Sequence, residues 1–267
     1  MKELENQQEI QELNAIIGLA NPKGDSYKAR AHKQQQMIDY YTSLKAIIKK
    51  LSTKRTLYLY DCGCGRSCLS FYLNYFLKKD GWENIQFICI DTNEKLIERC
   101  RETARRLGMD NMSFHAASIQ DFAFPAQPEI LYSLHACDSA IDQMIYQGIK
   151  ENARHILSVS CCQHTNRKKM KGHPMVAVTR HGLYKERLTD MVADSLRALL
   201  LEAQGYKVNI FEFVNSSHTP KNVMVRCEKI QPASDQTRLA LEEYDKLSAL
   251  FNFHPKLETY LQEQGEQ

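Results

Sequence analysis

The 267-residue chain holds no apolar run near the roughly 20 residues that cross a bilayer. Its opening, Met1-Lys2-Glu3-Leu4-Glu5, is acidic and lacks the apolar core of a secretory leader. Strong charge of either sign is missing too. The 35 Lys and Arg against 32 Asp and Glu leave +3, which permits a nucleic-acid partner without requiring one. There is no repeat and no low-complexity tract. Nor is there a disulfide framework: nine cysteines are an odd number, several fall in predicted strands, and such frameworks belong to small secreted chains. What remains is a protein expected to be soluble and cytoplasmic, with reduced thiols. Its 43% hydrophobic content suits an ordinary core, as one large domain or one domain with appendages.

Two phosphate-binding signatures fail at one informative stretch. Residues 57–67 read Leu-Tyr-Leu-Tyr-Asp-Cys-Gly-Cys-Gly-Arg-Ser. An apolar run ends in Asp61, then Cys62-Gly63-Cys64-Gly65, and an amphipathic segment follows; this is a buried strand, a glycine turn and a helix start. No Gly-Lys-Ser/Thr follows, which excludes a P-loop, and Cys68 replaces the third glycine of a dinucleotide fingerprint. The two glycines still allow a tight turn with positive φ, leaving the main chain open to a ligand beside the unpaired N–H groups of a helix start. A second apolar strand, Ile85 to Ile90, ends at Asp91. One helix separates the two aspartates, giving a βαβ unit of ordinary length. Asp91 can then accept hydrogen bonds from both hydroxyls of a ribose. With Thr92 and Asn93 it can also cap the helix starting at Glu94.

The periodicity predicts helices over 3–20 and 26–51, broken by Asn21-Pro22-Lys23-Gly24. The second carries a stripe of Met37, Ile38, Tyr41, Leu44, Ile47 and Ile48, and a basic first half with Lys28, Arg30, His32 and Lys33. Strands are expected at 57–60, 85–90, 112–115, 130–134, 155–160, 206–214 and 222–227, with helices at 67–79, 94–107, 139–150 and 184–204. Five strands with intervening helices imply right-handed crossovers and a parallel sheet. Asn215 to Lys221 is too short for a crossover helix, so the last two strands form an antiparallel hairpin at one edge. A helical tail from Gln231 presents Leu239, Leu241, Tyr244, Leu247, Leu250 and Phe251 for docking.

In an open α/β sheet, ligands sit beyond the carboxyl ends of the strands. The third strand leads to Ser118 and Ile119, whose backbone and apolar wall could meet an adenine. Asp121 could accept from the exocyclic amine, though it lies a little far along. The fourth ends in Ser133-Leu134-His135-Ala136-Cys137-Asp138, and Asp138 and Ser139 are also good helix caps. The fifth ends in Ser160-Cys161-Cys162-Gln163-His164. Three readings are open there. Cys161, Cys162 and His164 could bind zinc with Cys137 or His135 as a fourth ligand, although a clean C-x₂-C pair is missing. A Cys–His pair could act as nucleophile. The favoured reading holds no metal: small thiols shape a substrate pocket and His164 supplies a hydrogen bond or general base. Beyond it, Arg167, Lys168, Lys169, Lys171 and Arg180 form a basic loop suited to phosphates. The connection Asn215 to Asn222 is unusually polar, in part through turn chemistry.

Taken together these motifs resemble class I S-adenosylmethionine-dependent methyltransferases. Asp61-Cys62-Gly63-Cys64-Gly65 is similar to their first motif, Asp/Glu-x-Gly-x-Gly-x-Gly, with Ser67 at the third glycine position, and Asp91 matches their ribose-binding acid. Leu134-His135-Ala136-Cys137-Asp138, Cys161-Cys162-Gln163-His164 and His218-Thr219-Pro220-Lys221-Asn222 resemble a bacterial branch. Its relatives include methyltransferase-like, glutathione-S-transferase-C-terminal-domain and tRNA 2′-O-methyltransferase families. The resemblance covers about residues 26–250. It implies a Rossmann-like α/β fold with a seven-stranded, mostly parallel sheet, an antiparallel C-terminal hairpin and helical additions. It also implies S-adenosylmethionine as cofactor, in a domain over 54–230 with a helical extension at 1–53 and a helical tail at 231–267. The cofactor residues would be Asp61, Cys62, Gly63, Cys64, Gly65, Asp91, Thr92, Ser118, Ile119, Leu134 and His135. Asp138 and His164 are the candidate base or orienting groups, with His135 and Cys161 lining the pocket. Cys162, Lys168, Lys169, Lys171, Arg180 and Asn222 would meet the substrate, expected to be RNA. Protein and small-molecule acceptors are the alternatives. So are a non-catalytic module binding RNA or a protein, and a nicotinamide dehydrogenase, against which the missing glycine and the terminal hairpin argue.

Overall fold

The computed structural model describes residues 2–19, 27–136, 139–160, 163, 167–168, 170, 172–231 and 233–265. The predicted breaker Asn21-Pro22-Lys23-Gly24 lies outside them. In chain order the elements are α1 (Lys2–Ile16), α2 (Tyr27–Ile48), β1 (Leu57–Cys62), α3 (Cys68–Lys79), β2 (Ile85–Asp91), α4 (Glu94–Arg106), β3 (Met112–Ala116) and β4 (Ile130–Ala136). They continue as α5 (Ser139–Lys150), β5 (His155–Ser160), α6 (Val176–Thr179), α7 (Gly182–Ala203), β6 (Tyr206–Glu212), β7 (Val223–Lys229), α8 (Ser234–Phe251) and α9 (Lys256–Gly265). The sheet is seven-stranded in the order β3-β2-β1-β4-β5-β7-β6. It is Rossmann-like and mostly parallel, with β7 antiparallel to β5. The chain divides into two compact units, Met1–Ser118 with Glu212–Asn222, and Ile119–Phe211 with Val223–Gln267.

In the first unit β1 pairs with β2 in parallel, from Leu57↔Ile85 to Cys62↔Ile90, and β2 with β3, from Phe87↔Met112 to Asp91↔Ala116. β1 and β2 are buried along nearly their whole length, as expected of parallel strands covered on both faces. This explains their near-continuous apolar sequence. The ladder also carries each strand one or two residues past the predicted end, so Asp61, Cys62 and Asp91 belong to strands. α2 buries Met37, Tyr40, Tyr41, Leu44, Ile47 and Ile48. The Tyr41 ring stacks on Phe76 at 5.0 Å, its hydroxyl donates to Asp80, and Lys45 pairs with Asp80 at 2.5 Å. α1 lies along α3 through polar contacts: Tyr72 hydroxyl to Asn14, and Lys79 and Tyr75 to Glu9. It ends at Ile16, four residues before the predicted end, because Gly18 turns left-handed at φ 71°.

In the second unit β4 and β5 run parallel from Ile130↔His155. Arg197 of α7 is fully buried. Its Nε donates to Asp142 of α5 at 2.7 Å and its Nη1 to Asp194 at 3.1 Å. The tail stripe needs correction. α8 buries Ala240, Tyr244, Ser248 and Phe251, at spacings of four, four and three, while Leu239, Leu241 and Leu250 are exposed. Helical geometry keeps Tyr244 and Phe251 of the expected stripe on the buried face and puts Ala240 and Ser248 beside them at that spacing. Among the described residues no helix is long and apolar enough to cross a membrane.

Candidate functional site

The turn after β1 is built by three left-handed residues at alternate positions: Gly63 at φ 74°, Gly65 at φ 53° and Ser67 at φ 50°. The third position of the motif thus keeps a glycine-like conformation with a serine in place. A left-handed non-glycine residue carries a steric cost, held here by Ser67 N–H donating to the Cys64 carbonyl at 2.7 Å, and by the Ser67 carbonyl accepting the first turn of α3 from Phe71 N–H at 3.0 Å. Left-handed geometry also explains why α3 begins at Cys68 and not at Ser67.

The turn is tied to the end of β2. The N–H groups of Gly63 and Cys64 both donate to the Ile90 carbonyl, at 2.9 and 3.0 Å. Gly65 N–H donates to Asp91 Oδ2 at 2.8 Å, and Asn93 N–H to Asp91 Oδ1 at 2.8 Å. Both carboxylate oxygens therefore hold a backbone donor, and each retains a lone pair for a hydroxyl. A Cβ built on Gly65 would meet nothing within 4 Å, so the main chain there faces open space. The capping role falls to Asn93, whose side chain accepts from Leu96 N–H at 3.2 Å. Thr92 is exposed.

Asp61 points inward. Its carboxylate is buried and accepts from Ser70 of α3. Burial raises its pKa to about 7 against that hydrogen bond, and the nearby Asp91 charge adds to the rise. The thiols of Cys62, Cys64, Cys89 and Cys100 are likewise pushed up by burial, so they pack as neutral groups and not as thiolates. The six cysteines whose state is described, these four with Cys68 and Cys227, are free thiols. Among the described residues no group of three or more His, Cys, Asp or Glu could hold a metal ion.

Beyond β3, Ala117 N–H donates to the Asp91 carbonyl at 3.1 Å, which leads directly to Ser118, half-buried in the first unit. In the second unit Ile119 is buried and Leu134 half-buried. The β4–β5 register shifts between Leu134 and Ala136, so the backbone of His135 sits in an irregularity of the kind that re-aims residues beside sites. The side chain of His135, and Asp138, Cys161, Cys162, His164, Lys169 and Lys171, lie outside the described residues, as does Cys137. Lys168 is exposed, and exposed Arg180 donates from Nε to His181 Nε2 at 3.1 Å. Asn222 is buried, and its amide donates to the Val214 carbonyl at 3.0 Å, closing the hairpin connection.

Two groups carry no local sequence signal. Arg66, inside the turn, donates from Nη2 to the carbonyls of Gly18 at 3.0 Å and Ile17 at 3.4 Å. It meets the carbonyl end of α1 and fastens that helix to the turn after β1. Ser160, the last residue of β5, donates to Asp194 Oδ2 at 3.0 Å. The end of β5 therefore hangs on the buried Asp142–Arg197–Asp194 group.

A family model described as Methyltransferase domain matches residues 32–169, more than half of the chain. No curated protein matches in sequence. Solved structures that match include a SAM-dependent methyltransferase from Aquifex aeolicus, 16% identical, covering 68% of this chain and 86% of that one, with a TM-score of 0.39. Magnesium protoporphyrin IX methyltransferase from Synechocystis PCC 6803 with bound SAM is 12% identical over 79% of this chain and 88% of that one, at 0.48. An rRNA methylase from Streptococcus thermophilus is 12% identical over 66% and 89%, at 0.42. On the family match, the chain belongs to the methyltransferase-domain family.

Proposed function

We propose that the chain is a class I methyltransferase of the bacterial branch defined by the motifs above, moving a methyl group from S-adenosylmethionine to a nucleophilic oxygen or nitrogen of RNA, a tRNA or rRNA, in the cytoplasm. The module spans 54–230, with 1–53 and 231–267 as helical additions. One observation carries the reading: Gly65 N–H meets Asp91 at 2.8 Å beside an open main chain. A strand-end carboxylate held by a backbone donor, next to a turn with no side chain in the way, fits an adenosyl ribose. Asp91 receives its hydroxyls, Gly63 to Gly65 give it room, and Ser118 with Ile119 receives the base. Thr92, Leu134 and His135 border it, while Asp61, Cys62 and Cys64 hold the turn from below. When bound, the cofactor supplies a methyl on a positively charged sulfur, a charge that vanishes as the methyl leaves. The protein's task is then in-line alignment and removal of an acceptor proton. Asp138 and His164 hold that proton. His135, Cys161 and Cys162 shape the acceptor pocket, and Lys168, Lys169, Lys171 and Arg180 bind phosphates. Asn222 fixes the hairpin connection on the substrate side.

The test uses tritiated S-adenosylmethionine with the purified chain and fractionated cell extract. Label in an RNA fraction, lost in Asp138→Ala and His164→Ala, is the expected result. Label in protein or small metabolites removes RNA. No label in any fraction, together with no heat on titrating S-adenosylhomocysteine, overturns the whole reading.

A further inference from the structure

Large apolar side chains are exposed unevenly. Of eleven described in that state, six lie between residues 175 and 191: Met175, Val176, Val178, Leu183, Tyr184 and Met191. Val176 is 58% and Met191 66% exposed. Single exposed apolar residues need no explanation, whereas a run of them marks an interaction surface. α6 buries none of its own residues, and on α7 Tyr184, Arg187 and Met191 share a face at helical spacing.

The segment is presented by built contacts on its inner side. His173 is buried, its Nδ1 accepts from Met175 N–H at 3.1 Å, and its Nε2 lies 3.3 Å from the Thr179 hydroxyl. Its ring is 5.5 Å from Phe251. Thr189, buried on α7, donates to the sulfur of buried Met170 at 3.9 Å. The charge around the apolar residues is positive on balance, with Arg180, Lys185 and Arg187 against Glu186 and Asp190. Arg180 and Arg187 are exposed, while the acids of residues 172–191, Glu186 and Asp190, are half-buried, and Glu186 faces Arg167 at 3.4 Å.

We propose that α6 and the first three turns of α7 form a docking surface for a protein partner bearing an apolar ridge with an acidic rim, as on an acidic amphipathic helix. Five of the six exposed residues, Val176, Leu183 and Met191 among them, are non-aromatic and gain by leaving water against other apolar groups; Tyr184 alone offers a ring on which a nucleic-acid base could stack. The exposed arginines select acidic flanks. The surface is independent of the cofactor reading, and Arg180 is its border with the basic loop.

The experiment places the photo-crosslinker p-benzoylphenylalanine at Met191 or Val176 of the full chain in cells. A matching label at Lys207, on β6, serves as control. A captured protein is then purified and titrated. The expected result is a crosslink specific to the two patch positions, landing in an acidic, apolar segment. Binding should weaken at least tenfold in Leu183→Ser/Met191→Ser, and should weaken and lose its salt dependence in Arg187→Glu. These exposed changes should leave S-adenosylhomocysteine binding unaltered, separating a failure here from a failure of the cofactor reading. Crosslinks to RNA, crosslinks to a second copy of this chain, no specific crosslink, or binding indifferent to the substitutions would each overturn the proposal.

Discussion

Asp91 and Asp61 are both acidic residues at strand ends, and their surroundings give them opposite tasks. Asp91 faces the turn and holds Gly65 and Asn93. Removing it takes away a charged hydrogen-bond acceptor worth roughly 1.5–3 kcal/mol. Asp91→Ala is therefore expected to weaken S-adenosylhomocysteine binding by about 10–100-fold in calorimetry, and unchanged affinity would contradict the role given to it. Asp61 is buried on Ser70, with its pKa raised from the ordinary 3.8 to about 7. The folded chain then holds a proton more tightly than the unfolded one, so stability falls as pH rises from about 4 through 7. Between pH 5 and 8 the loss is roughly 2–3 kcal/mol from this group. Asp61→Asn, which keeps an acceptor for Ser70, should flatten that fall in denaturant titrations and be the more stable protein at pH 8. The position of Asp91, an acid at the tip of the second strand of a βαβ unit, was legible in the sequence. The inward turn of Asp61 was not, because which face of the strand is covered depends on α3.

At the scale of elements, the turn after β1 and the end of α1 form one joint. Gly18 is left-handed, and a Cβ there would run into the Arg66 guanidinium. Gly18→Ala is expected to cost about 1–2 kcal/mol in thermal unfolding, from backbone strain alone. It should also raise amide exchange along α1, since the Arg66 cap is displaced. If exchange on α1 stays as in the parent, the joint is not what holds the helix. A second element contact lies at α7. Burial raises the Asp194 carboxyl while the Arg197 charge opposes the rise, and Arg197 in turn stays protonated between two carboxylates. Asp194→Ala strips one partner from a buried guanidinium and should destabilise by about 3–5 kcal/mol, and Asp194→Asn by less, since Ser160 keeps an acceptor. Equal, small effects in both would show the group to be dispensable. Helix and strand positions were read well where apolar periodicity is strong, as in α5, whose bounds match the expectation. Ends were read less well: strands outran their apolar runs because ladder hydrogen bonds continue through Asp61 and Asp91. The four-residue α6 was missed because its apolar residues face out and leave no amphipathic pattern.

For the whole molecule, ligand binding to the native state alone raises stability by mass action. S-adenosylhomocysteine at about a hundred times its dissociation constant adds about 2.7 kcal/mol, a rise in Tm of about 5–10 °C for a chain of this size. No shift in the parent would contradict the proposed cofactor, and a full shift in Asp91→Ala would contradict its placement. The amino-acid sequence alone determined the alternation of strands and helices, the glycine turn, the acid at the end of the second strand and the reversed final hairpin. Each of these is written in local pattern: apolar runs, turn residues, and a connection too short for a crossover. Only the tertiary structure decided that β7 lies between β5 and β6, that Arg66 fastens α1, and that Ser160 hangs on Asp194. It also decided which of several apolar residues in the tail and in α6 and α7 are covered. These depend on groups tens of residues apart meeting in space, and side-chain burial is a property of neighbours that no local spacing encodes.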